Sequence, residues 1–221
     1  MRFLPFSLSP LGPRPLSLPI NLGLAYRSRA NGSRKENIER AIAAFAAVVA
    51  ERPRSNAEWA RAQMLLGYAY IDREDGDRNA NYLSAIRAFD AALSAKSLYV
   101  GVVQKAEIQD RRGDLYLLLE PKDSAENIEN AIAAYKAAIE YKPQGNKVEL
   151  RKRAASAEKL GTCYRQRKQG SAAENAAQAA EAFGQALAVF TRETYPQDYS
   201  RVQALREEAQ AKAAAPAHEP L

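Results

Sequence analysis

Cys163 and His218 are the only cysteine and the only histidine in 221 residues. Those two residue types carry much of the nucleophilic, acid–base and zinc chemistry available near neutral pH. A Cys–His dyad, a Ser–His–Asp triad or a zinc site would need the histidine beside its partner. Cys163 stands two residues after a glycine in a helical pattern, where a buried, inert thiol is the expectation. His218 stands in an Ala- and Pro-rich tail that cannot deliver an imidazole to it. A single cysteine also excludes an intrachain disulfide. The sequence thus offers no catalytic set, no metal ligands and no cofactor site, and the expectation is a protein that is not an enzyme.

Charge is the remaining chemistry, and it is uneven. The net charge is +6. Residues 1–55 hold nine Lys and Arg against Glu36, Glu39 and Glu51, and residues 147–168 hold eight against Glu149 and Glu158. The rest of the chain is therefore mildly acidic. Two basic zones of this kind serve solubility and helix-surface pairing, or they attract an acidic partner or nucleic acid. No run approaches the 18 or more apolar residues of a membrane helix, so no membrane partner is expected.

The elements that position these charges announce themselves as a repeat. Counted from Gly23, Gly67, Gly113 and Gly161, a tyrosine follows three residues later (Tyr26, Tyr70, Tyr116, Tyr164) and an asparagine fourteen later (Asn37, Asn81, Asn127, Asn175). An aromatic follows twenty-two later (Phe45, Phe89, Tyr135, Phe183), flanked by alanines such as Ala131 and Ala134. The glycines lie 44, 46 and 48 residues apart. Spacing that is rigid within a unit and slack between units marks stacked supersecondary modules. The small residues let helices approach, one ring per unit fills the gap, and the glycine is read as the point where two backbones meet.

Ser33, Asp77, Asp123 and Ser171 precede the second helix of each unit, and Glu36, Glu126 and Glu174 follow three residues on, which predicts three capping boxes. Ser55 and Glu58 predict another. The asparagines face inward early in each second helix, where the amide can bond carbonyls of the preceding loop. Helices are expected at 21–29, 34–51, 56–73, 78–95, 98–119, 124–141, 147–168, 172–192 and 198–213. Five prolines among residues 1–20 disfavour helix and break any secretory h-region, and no small-residue cleavage site follows. That leader is expected to be disordered and the protein cytoplasmic. Residues 214–221 read as a disordered tail.

The pattern resembles the tetratricopeptide repeat. Leu22-Gly23…Tyr26, Leu66-Gly67…Tyr70 and Leu160-Gly161…Tyr164 match its first motif, with Arg112-Gly113…Tyr116 departing at one position. Ala41, Phe45 and Pro53, and Ala131, Tyr135, Ala138 and Pro143, match its second. The usual unit has about 34 residues, and here six extra residues sit between tyrosine and first alanine in every copy. The chain is similar in this respect to a long-period subgroup common in bacteria and especially cyanobacteria. Gly76-Asp77-Arg78, Glu126-Asn127-Ile128-Glu129 and Thr191-Arg192-Glu193-Thr194-Tyr195-Pro196 fit that subgroup's units. Ser97 and Thr191 stand where proline would end the helix, so the second and fourth units are expected to carry their helices further.

What the resemblance implies is an all-α, right-handed solenoid of helical hairpins. It would have four repeats (21–55, 56–97, 98–145, 146–197) and a C-terminal capping helix (198–213). Such arrays usually bind proteins or peptides on a concave groove lined by the first helices. The groove positions here are Arg61, Met64, Tyr68, Ile71 and Asp72 in the second unit, and Glu107, Asp110, Asp114, Leu117 and Leu118 in the third. Glu158, Thr162, Arg165 and Gln166 follow in the fourth. Mixed charge, an aromatic and a methionine suit interface anchors. The partner expected is a protein or peptide held in that groove. An RNA-binding solenoid using the basic zones is the alternative. Against it stand the acidic middle unit and the lack of a 35-residue repeat with paired base-reading positions.

Overall fold

The computed structural model describes residues 18–53, 57–95, 100–143 and 146–215. Among them the chain is entirely helical: α1 (Leu18–Ser28), α2 (Arg34–Glu51), α3 (Ala57–Asp72), α4 (Arg78–Ser94), α5 (Val102–Leu118), α6 (Ala125–Glu140), α7 (Lys147–Gln166), α8 (Ala172–Leu187) and α9 (Pro196–Ala214). Each helix packs on the next, as hairpins stacked into a solenoid. The contacts between α4 and α5 are the sparsest of any neighbouring pair. Most of the 1–20 leader, the end of the tail with His218, and the Ser55 and Ser97 positions lie outside the described residues.

Most boundaries fall within two residues of expectation, and the exceptions are the starts of α1 and α5 and the end of α8. Helix α5, expected from 98, starts at Val102 after Gly101. Helix α1 starts at Leu18, taking Pro19 into its first turn, where the missing proline N–H removes a donor that would have no partner anyway. Neither α4 nor α8 runs on. Helix α4 stops at Ser94. Helix α8 stops at Leu187, and the chain then turns through Thr191, whose Oγ1 accepts from the Thr194 N–H at 3.3 Å and whose carbonyl accepts from the Tyr195 N–H at 2.9 Å. Pro196 opens α9 at a first-turn position.

Caps form at every second helix, but not as the expected boxes. Ser33, Asp77 and Ser171 each accept from the backbone N–H three residues on. Only Ser171–Glu174 closes the full box. In the third unit the cap is Ser124 rather than Asp123. Gly32, Gly76 and Gly170 occupy the left-handed turn nine residues after their repeat glycines. The third unit has Lys122 there, and Asp123 takes the left-handed conformation instead at φ 58°. The helix start moves one residue along with it.

The repeat glycines do something other than join two backbones. A Cβ on Gly23, Gly67, Gly113 or Gly161 would sit less than 3.0 Å from three ring atoms of Phe45, Phe89, Tyr135 or Phe183, respectively. Each ring is fully buried. Glycine and aromatic are therefore one device: the ring from the second helix lies against the bare backbone of the first.

The asparagines behave as expected. Asn37 donates to the Asn31 carbonyl at 3.0 Å and Asn81 to Asp75 at 2.8 Å. Asn127 donates to Leu119 and Pro121 at 3.3 and 3.4 Å, and Asn175 to Arg167 and Gln169 at 3.2 and 2.8 Å. Each amide holds its long loop closed. The repeat tyrosines lie less deep than the rings: Tyr164 is buried, while Tyr26, Tyr70 and Tyr116 are half-buried and pack on the edges of the core.

Two junctions share an arginine clamp. Arg73 grips Glu39 of the previous unit with Nε and Nη2 at 2.6 and 3.1 Å, and its Nη1 reaches Asn81 at 3.3 Å. Arg167 repeats this on Glu129 at 2.6 and 3.0 Å and on Asn175 at 3.4 Å. At the junction between the second and third units both members change together, to Leu83 and Leu119. There the Asn79 amide clasps the Glu120 backbone instead, donating to its carbonyl at 3.4 Å and accepting from its N–H at 3.1 Å.

Candidate partner-binding groove

Helices α1, α3, α5, α7 and α9 form one face, and the charges on it are bonded to one another across the units. Arg27 of α1 donates to Asp72 of α3 at 2.8 Å, and Arg34 approaches the same carboxylate at 3.4 Å. The Tyr68 hydroxyl of α3 is bonded to Glu107 of α5; burial first and the Glu107 charge second push its pKa well above the ordinary tyrosine value. Arg27 also lies over the Tyr68 ring at 5.4 Å, and Phe89 meets that ring edge-on at 5.2 Å.

Between α5 and α7 the network is denser. Asp110 accepts from Ser156 Oγ at 2.7 Å and from Lys159 Nζ at 3.1 Å. Lys159 also meets Asp114 at 2.7 Å, and the buried Tyr135 hydroxyl donates to Asp114 at 2.8 Å. Tyr135 is the one repeat ring with a hydroxyl, and its unit is the one with an aspartate directly after the glycine. Between α7 and α9, Arg201 binds Glu158 through two donors at 2.8 and 2.9 Å. Arg165 binds Glu208 at 2.7 Å.

These partners lie about one period apart in sequence, so the chosen carboxylates form a ladder along the first-helix face. Asp72, Glu107, Asp110, Asp114 and Glu158 each take a donor from a neighbouring first helix. The other chosen positions are mostly packing. Met64 and Ile71 lie against the core around Phe89, and Leu117 lies against the core around Tyr135. Thr162 turns its hydroxyl back onto the Glu158 carbonyl at 3.1 Å. Arg61 is half-buried, Gln166 is exposed, and Leu118 is 46% exposed. The sequence signal for the ladder was present, as opposite charges at one-period separation, but only pairing reveals it.

The same face holds a recess of about 140 Å³ between α5 and α7, floored by the end of α6. Val103, Ala106, Ala138 and Ala155 supply its apolar lining, with Glu107, Asp110, Lys152 and Arg153 among its polar groups. One of its lining positions varies along the repeat. Five residues before the repeat glycine stands Ile108 in the third unit, fully buried, and Ser156 in the fourth. The second unit has Ala62 there, also fully buried.

Cys163 is buried beneath this network, and burial followed by the charge of Asp114 pushes its thiol up to about 12. Such a thiol is protonated and unreactive at neutral pH. Among the described residues no group of three or more His, Cys, Asp or Glu is placed to hold a metal ion, and no helix is long and apolar enough to cross a membrane.

No protein-family model matches this chain, and no curated protein matches it either.

Proposed function

We propose that this protein is a tetratricopeptide-type solenoid, a non-catalytic cytoplasmic scaffold that holds an extended peptide or a helix of a protein partner along the face built by its first helices. The observation that carries the reading is the recess between α5 and α7. It opens on that face and combines an alanine-lined floor with carboxylates and cations at its edge. An apolar anchor surrounded by satisfied polar groups is the usual anatomy of a peptide-binding hot spot.

Ser156→Ile tests this by restoring the residue that fills the preceding unit. Affinity purification with the parent and with the variant should lose a partner in the variant, at a cost in thermal midpoint no larger than that of the lost Ser156–Asp110 hydrogen bond. Ala155→Arg, which blocks the same recess from its edge, should lose the same partner. A partner set unchanged by both substitutions removes the recess from the binding site. RNA in the purified material, released steeply by salt, would favour the nucleic-acid reading instead.

A further inference from the structure

The repeat supplies its own comparison for a second opening, on the neighbouring face of α5. Eight residues before the repeat glycine stand Trp59 in the second unit, Lys105 in the third and Arg153 in the fourth. Trp59 is buried, and Val49 of the previous unit packs on the core cluster to which it belongs. In the fourth unit Arg153 donates to the carbonyl of Ile139 at 2.8 Å, and Ile139 is buried. Val49, Leu93 and Ile139 occupy the same repeat position, twenty-six residues after their glycines. Leu93 lines an open recess, about 490 Å³ in volume, that Lys105 borders.

We propose that this recess is a vacated indole socket that takes an exposed tryptophan, flanked by carboxylates, from a protein partner. Three observations carry it. First, the sibling position shows what the site accepts, because there the fold buries an indole, a group that covers roughly 150–250 Å² when buried. Second, the lining is apolar where the ring would lie: Leu93, Ala106, Ala137 and the ring of Tyr141, which is held in place by a 2.6 Å hydrogen bond from its hydroxyl to Glu149. Third, the rim favours anions: Lys105 and Lys142 are both exposed there against one carboxylate, Glu140. This socket adjoins the recess assigned to peptide binding above, sharing Ala106 and Tyr141 with it, and Ser156 lines only the earlier one.

The probe is a fluorescein-labelled pentapeptide, Glu-Asp-Trp-Glu-Asp, followed by anisotropy against the full chain. Saturable binding is expected. It should weaken by about tenfold or more when the tryptophan is replaced by alanine or the four acids by lysine. Lys105→Trp should abolish it by filling the socket from within, with a thermal midpoint at or above that of the parent. The double variant Lys105→Glu/Lys142→Glu should weaken it tenfold or more with the socket still open. The proposal is overturned if no peptide saturates, if the alanine peptide binds as well, or if both variants bind like the parent. It is equally overturned if Lys105→Trp lowers the midpoint, because the chain's own side chains then already fill the site. Ser156→Ile should leave this binding unchanged.

Discussion

Phe89 lies where a side chain on Gly67 would have to be. Three atoms of its ring stand closer to that missing Cβ than any real Cβ contact allows, and the ring itself is fully buried. Gly67→Ala should therefore destabilise the protein by about 1–3 kcal/mol through overpacking, although alanine is ordinarily the better helix former. Thermal or urea unfolding of Gly67→Ala, Phe89→Leu and the double variant measures this. A double variant no less stable than Phe89→Leu alone would establish that ring and glycine act as a pair.

Tyr135 and Asp114 should be coupled in the same sense. Tyr135→Phe removes a hydrogen bond to a carboxylate and should cost about 1.5–3 kcal/mol. The opposite change in the first unit, Phe45→Tyr, brings a hydroxyl to a unit whose repeat glycine is followed by Leu24 rather than aspartate. It should cost about 1–3 kcal/mol as a buried donor without a partner. Equal tolerance of both rings in both units would show that the hydroxyl is incidental.

Asn175→Leu should destabilise by about 1–3 kcal/mol, because the carbonyls of Arg167 and Gln169 lose their donor while the loop remains folded over them. Hydrogen exchange should locate the change at residues 167–172. A melting curve like that of the parent would mean that water replaces the amide without loss.

Lys159→Met leaves Asp110 and Asp114 facing one another without the shared cation. A loss of about 1–3 kcal/mol is expected, less than the roughly 3–5 kcal/mol for breaking a fully buried pair, because all three groups keep some solvent contact. Adding Asp114→Asn should recover part of it. Unfolding midpoints that fall further in the double variant would contradict the shared-cation arrangement.

The Cys163 thiol should resist alkylation at pH 8 at a rate set by unfolding, and partial denaturant should expose it. Its pKa stands above the unfolded value because burial opposes the thiolate. The sign follows directly. The contribution to stability is intact below pH 9, the unfolded value, and is lost progressively as pH rises from there towards about 12. Cys163→Ala should flatten that alkaline decline. Rapid labelling of the folded chain at pH 8 would refute the burial argument.

The scaffold was legible because packing needs recur in every unit. Gly67, Asn81 and Phe89 have counterparts at fixed spacing, so one misread position could not hide the pattern. The role of glycine was misassigned, since spacing reports that a Cβ is forbidden without saying what forbids it. The cap at Ser124 was missed because Lys122 displaces the left-handed residue of the loop, a conformational effect that residue types signal weakly. The groove was harder still. Asp110 and Lys159 look like solvated surface until the stacking of α5 and α7 brings them together, and neither belongs to the repeating set.

The exchange of the arginine clamp for Leu83 and Leu119 at the middle junction has a consequence for how the array is put together. With the second and third units transposed, Glu39 would meet Leu119 and Arg167 would meet Leu83, leaving an acid and a base each opposite an alkyl chain. The four units share a shape, but each carries an address for its neighbour, and their order is written into the chain as firmly as their fold.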